Sequence, residues 1–239
     1  MSDLNSVGFG RDVSVATAQS RNRVQSRNRV LRNTYALLAL SMVPTVIGAW
    51  LGVAMGFTFF EGSPFMGAMI FLAVAFGFFW AIEKNKDTGM GVVLLLAFTF
   101  FMGVMLSRLI GMTLGSYSNG AALIMGAFGG TAAIFTVMAS IATVSKKDFS
   151  SMGKFLFVGV ILLIVASLAN IWLQIPALML TIMVVAIAIF SAFILVDVQR
   201  VVNGGETNYI IATLGIYLSV YNIFSNLLAL LGIFGGDRD

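Results

Sequence analysis

ALMLTIMVVAIAIFSAFILV, residues 177–196, is twenty positions long and carries no charge. A bilayer's hydrocarbon core is about 30 Å thick and needs roughly 20 apolar helical residues to cross it, so this stretch predicts a membrane-spanning helix. Six further apolar segments flank it, at Thr34–Phe57, Phe65–Ile82, Gly89–Ile110, Tyr117–Val144, Phe155–Leu173 and Tyr209–Phe234. Hydrocarbon offers no partner to a backbone N–H or C=O, which restricts spanning structures to helices and closed barrels, and segments this long fit helices. The expected fold is an all-α membrane protein of seven transmembrane helices.

Composition supports the same reading: 59% of the residues are hydrophobic, 10% are charged, and the mean hydropathy is +0.98. With nearly all of the 239 residues committed to the membrane, no room is left for a separate folded domain. Histidine and cysteine are both absent. Their absence removes disulfides, thiolate and imidazole metal sites, and the commonest base and nucleophile of hydrolysis. A serine dyad lacks its base, an HExxH zinc site cannot form, and an aspartyl protease needs two membrane carboxylates where only Asp197 is available. The expectation is a non-enzymatic protein without cofactor or metal. The net charge of +4 resides in loops and does not suggest nucleic acid.

Residues 1–33 are polar and Arg-rich, with the near repeat SRNRVQSRNRV, and read as a basic, flexible cytoplasmic tail ahead of a transmembrane domain over 34–239. The tail can fix topology, or lie on anionic headgroups. Lys84 and Lys86 fall in the second connection, Lys146, Lys147 and Lys154 in the fourth, and Arg200 in the sixth. By the positive-inside rule these connections and the N-terminus lie on the cytoplasmic side and the C-terminus on the opposite side. That topology requires the seventh segment to cross fully; a re-entrant or broken form is the alternative. Arg108, near the end of the third span, is expected to snorkel to the opposite interface. Gly126, Gly129 and Gly130 in the fourth span predict close helix packing. The 21 Phe and 14 Met residues are read as lipid-facing or gap-filling, without function.

Few polar residues interrupt the spans. Asp197 ends the sixth, with only apolar neighbours before it. A carboxylate there is costly unless it meets water, a cation or a donor. Two readings stand: a candidate pH sensor or gate, or an interfacial pair with Arg200 at i+3. On the seventh segment Ser219, Asn222 and Asn226 share one side, and Thr213, Tyr217 and Tyr221 form a second stripe. These are candidates for helix packing or for the lining of a polar passage. In the connecting loop, Glu206 or Thr207 is placed to cap the last helix, and Arg200 and Glu206 are candidate loop or partner contacts. Asn170 and Gln174 before Pro176 read as an interfacial turn.

An Asp closing the sixth span, the loop NGGETNYIIAT (203–213) and the helix IYLSVYN (216–222) resemble the Bax inhibitor-1 (TMBIM) family. LRNTYALL (31–38), KKDFSSMG (146–153) and ANIWLQIPAL (169–178) are similar to its bacterial branch, which includes a modulator of the membrane-anchored FtsH protease. The likeness covers residues 31–234. It implies a seven-helix bundle with the last helix central. It also implies either FtsH modulation or a pH-sensitive calcium leak, in which paired aspartates of the sixth and seventh helices share protons. Asp197 matches the first aspartate; Ser219 stands at the second. An Asp–Ser pair titrates as a single acid, and calcium favours several oxygen ligands that include carboxylates. Modulation of FtsH is therefore the leading expectation, and a cation or proton leak gated at Asp197 is the alternative.

Overall fold

The computed structural model describes the backbone of residues 4–57 and 63–237, and the side chains of 25, 27–57 and 63–237. Seven helices follow in order: α1 (Leu4–Ala54), α2 (Pro64–Asn85), α3 (Gly89–Ser116), α4 (Gly120–Val144), α5 (Met152–Leu173), α6 (Pro176–Val202) and α7 (Tyr209–Gly235). Each is long and apolar enough to cross a membrane, and among the described residues there is no strand. The apolar part of α1 is Arg27–Ala54; its helical backbone begins at Leu4, within the segment set apart as a basic tail. The side chains of Arg11, Arg21 and Arg23 lie outside the described residues. The last segment is one unbroken helix of 27 residues, about 40 Å long, so it is not broken and is long enough to span.

Local chemistry sets the helix ends. Ser63 caps α2 by accepting from the Met66 N–H, with Pro64 at the first helical position, where a missing N–H costs nothing. Gln174 closes α5 in the left-handed conformation (φ 50°), its N–H returning to the Asn170 carbonyl while the Asn170 side chain accepts from the Ile175 N–H. Pro176 then starts α6. The expected interfacial turn is thus formed by those residues.

The closest helix pair is α1 with α3. A Cβ at Gly103 would fall on the Thr45 carbonyl, and one at Gly48 on the Phe100 carbonyl. Small residues four apart, Gly48 with Gly52 and Gly103 with Ser107, let the two backbones touch, as tight packing in lipid requires. In α4, by contrast, a Cβ at Gly129 would meet nothing within 4 Å, and Gly130 alone of the three predicted positions is tightly opposed, by Leu227.

Helix α7 packs against α1, α2, α3, α4 and α6. Helix α5, which has no buried residue, packs mainly on α6 and lies on the outside. The last helix is therefore central. The main core gathers Leu37, Ile82, Phe98, Ile194, Val198, Ile216 and Tyr217 from five helices, with Phe98 set edge-on to both Phe79 and Tyr217. A smaller core forms between α4 and α7 around Leu123, Ala127 and Leu228.

The Gly103→Val variant, which pushes α1 from α3, is expected to lose about 1–3 kcal/mol through overpacking, while Gly129→Ala should be close to neutral. Thermal unfolding of both proteins in detergent, followed by size-exclusion fluorescence, checks this; equal midpoints would show that the approach is not needed.

Candidate functional site

The site is built on the hairpin of α6 and α7. Helix α6 stops at Asn203, whose N–H bonds the Gln199 carbonyl; Gly204 takes φ +77°, and the N–H groups of Gly205 and Glu206 both return to the Arg200 carbonyl. A residue with a side chain would be strained at Gly204. The chain then turns into α7, whose cap is Asn208: its Oδ1 accepts from the N–H groups of Ile210 and Ile211 at 2.9 and 3.2 Å. Glu206, expected to cap this helix, instead accepts from the Asn208 N–H one step upstream, and Thr207 makes no cap. Asn fits the position better because its short side chain reaches the second and third helical N–H groups directly.

Asn208 has a further role. Its Nδ2 donates to the Lys86 carbonyl at 2.9 Å and to Asp87 at 3.0 Å, tying the α2–α3 loop to the hairpin. Gln199, buried near the end of α6, does the same for the α4–α5 loop: it accepts from the Phe149 N–H and donates to the Lys147 carbonyl, both at 2.6 Å. Three loops thus converge on one face. There Asp148 accepts from the Ser150 N–H, which holds its carboxyl below the usual carboxylate range, and Lys86 pairs with Glu83, which raises its ammonium above the usual range. On the other face Asn119 and Ser118 bind the end of α7 through Gly235 and Asp237.

Asp197 sits inside the three-loop face, half-buried between the fully buried Val196 and Val198. It lies over Gly215 of α7: a Cβ there would be 2.9 Å from the carboxylate Oδ2, so only glycine leaves this space open. No ion pair closes between Asp197 and Arg200, which is exposed, and among the described residues no donor bonds the carboxylate. No buried side-chain oxygen or nitrogen among them is left unsatisfied either, so the Asp197 oxygens keep some open surface. Arg200 and Glu206 act on it electrostatically with opposite sign.

Ser219 lies one turn along α7, buried, and donates to the Gly215 carbonyl at 3.1 Å rather than to Asp197. Asn222 and Asn226 likewise donate to carbonyls of their own helix, Leu218 and Asn222, each at 2.8 Å. Asn226 also borders a cleft of roughly 280 Å³ with Ser167 and Asn170 of α5 and Met179 of α6. The other stripe bonds across helices. The Tyr217 and Thr45 hydroxyls are 2.8 Å apart, and the Thr99 carbonyl accepts from Thr45 at 3.1 Å or from Tyr217 at 3.4 Å. Thr213 shares its proton between the Tyr209 carbonyl at 2.6 Å and the Thr34 carbonyl at 3.3 Å. Tyr217 and Thr213 thus join α7 to α1 and α3.

Sequence reasoning passed over Gln199, Asn208 and Thr45. Asn208 directly precedes an apolar run, the ordinary mark of a helix cap, and Gln199 is a lone amide in an apolar stretch, the same signal that singled out Asp197. Thr45 carries no comparable mark.

Residues 27–236 match the family described as "Inhibitor of apoptosis-promoting Bax1". The chain is 35% identical over 226 residues to the Escherichia coli protein named modulator of FtsH protease YccA, covering 95% of this chain and all of that one. It is 40% identical over 214 residues to an uncharacterised protein of Neisseria meningitidis (89% and 94% of the two chains), and 37% identical over 218 residues to a membrane protein of Vibrio cholerae (91% and 95%). Seven apolar helices and these relatives make it a multi-pass bacterial inner-membrane protein. The match runs from the first span to the end of the last, and the chain belongs to the Bax inhibitor-1 family.

Proposed function

We propose that this chain is a non-enzymatic regulator that binds and restrains a membrane-anchored protease of the FtsH kind. The observation that carries this reading is its likeness to the E. coli modulator, 35% identical over that protein's whole length. The three-loop face supports it. Gln199 and Asn208 hold the α4–α5 and α2–α3 loops in fixed positions against the hairpin, and a preorganised surface suits a protein partner. Lys84, Lys86, Lys146, Lys147 and Arg200 give that face its positive charge, which favours a cytoplasmic side for it and the N-terminus and a periplasmic side for the C-terminus. The basic residues 1–33 are a segment that a cytoplasmic ATPase can engage, and Arg200 and Glu206 are loop contact candidates.

Raised expression of the wild-type chain is expected to slow FtsH-dependent loss of a membrane substrate several-fold, with the two proteins co-purifying. Pulse-chase in cells checks this, and unchanged decay would overturn the reading. Deleting residues 2–30 should alter the chain's own degradation or its restraint of the protease; if both persist, the tail plays no part.

A second reading rests on Asp197. A half-buried carboxylate over a bare glycine, with no hydrogen-bond partner among the described residues, fits a proton- or cation-linked gate, and the polar stripe from Ser219 to Asn226 continues along α7 beyond it. Calcium or proton efflux from liposomes holding the purified protein is then expected to vary with pH between about 5 and 8, and to lose that dependence in Asp197→Asn. Equal flux in the two proteins would remove Asp197 from any gate.

A further inference from the structure

Arg108 belongs to none of these arrangements. It lies on α3 eight residues before the helix ends at Ser116, about 12 Å along the axis. The 28 residues of α3 make it about 42 Å long, so each end overhangs a hydrocarbon core of about 30 Å by about 6 Å. The Cα of Arg108 therefore sits about 6 Å below the headgroup boundary, within reach of a snorkelling guanidinium. The side chain is exposed, and among the described residues it makes no ion pair or hydrogen bond. The α1–α2, α3–α4 and α5–α6 connections on that face contain no Lys or Arg, so their sequence supplies no reason of topology for a cation here.

The guanidinium closes one end of a cleft between α2 and α3. Gly67 and Ala68 of α2 leave the space, and Phe71, Val104 and Met105 form apolar walls. Among the described residues the groove has apolar walls and one cation at headgroup depth, which matches an amphiphile with an anionic head and a hydrocarbon tail. Guanidinium pairs with phosphate through two parallel N–H···O bonds, a geometry that an ammonium cannot reproduce. Basic positions between transmembrane helices are suited to anionic headgroups for the same reason. We infer that this cleft is a binding site for an anionic phospholipid, its phosphate held by Arg108 and an acyl chain lying against Gly67, Ala68 and Val104. The lipid comes from the leaflet on the α1–α2 side, and by filling the groove it steadies α2 against α3.

Native mass spectrometry of the full chain, released from detergent supplemented with equal phosphatidylglycerol and phosphatidylethanolamine, tests the assignment. The wild type is expected to retain phosphatidylglycerol preferentially, and Arg108→Gln to bind it about tenfold more weakly, the loss of one charge-assisted contact. Arg108→Lys should fall between the two. Ala68→Phe keeps the cation but fills the groove, and should also release the lipid; it decides the matter if Arg108→Gln does not fold. Equal retention of the two lipids by the wild type, or undiminished retention of phosphatidylglycerol in Ala68→Phe or in a folded Arg108→Gln, overturns the proposal.

Discussion

The bundle depends on how closely α1 and α3 approach. With Gly48 and Gly103 at the crossing, the Thr45 and Phe100 carbonyls occupy the volume that a side chain would need. Lipid tails are as apolar as leucine, so helices in a bilayer gain little from apolar burial and associate through packing and hydrogen bonds. Once the two backbones touch, Thr45 and the Thr99 carbonyl form a small polar floor, and the Tyr217 hydroxyl of α7 reaches it from the other side of the core. Each such bond contributes only about 0.6 kcal/mol on average, but it fixes the rotation and depth of α7. Any other register would leave a buried phenol without a partner.

Because α7 is fixed from one side by Tyr217 and Thr213, its opposite side is presented to α6. There the sequence has a glycine, Gly215, and the Asp197 carboxylate occupies the space beside it. Arg200 is near in sequence yet exposed at the helix end, and Ser219 is satisfied by its own helix. Asp197 is thus set apart by the surrounding packing rather than drawn to a partner. The amides Gln199 and Asn208, a few residues to either side of the turn, lock the loops around it. One hairpin therefore combines clamped loops with a carboxylate that faces a bare glycine.

Much of this was legible in the residues. Bilayer length and hydropathy define seven spans, and Pro176 with the Asn170–Gln174 turn marks where one helix stops and the next starts. The stripe of Thr213 and Tyr217 follows from helical periodicity. The same periodicity gave Ser219, Asn222 and Asn226 a common side, but it could not show that each bonds a carbonyl of its own helix. The three glycines of α4 looked like a close crossing, whereas the tightest contact lies at Gly48 and Gly103. Small residues permit approach; which pair uses it depends on the neighbour.

The sequence by itself determined the class of solvent, the number of crossings, the exclusion of His- and Cys-based chemistry and the family. These follow from transfer free energies and from residue types, which are properties of the chain taken segment by segment. Only the tertiary structure decided that Asp197 faces Gly215 and not Arg200 or Ser219, that Gln199 and Asn208 are the loop clamps, and that Arg108 borders a groove between α2 and α3. Those relations join residues tens to more than a hundred positions apart, or turn on which face of a helix meets its neighbour. They are set by side-chain volumes where helices meet, a quantity that no single segment carries.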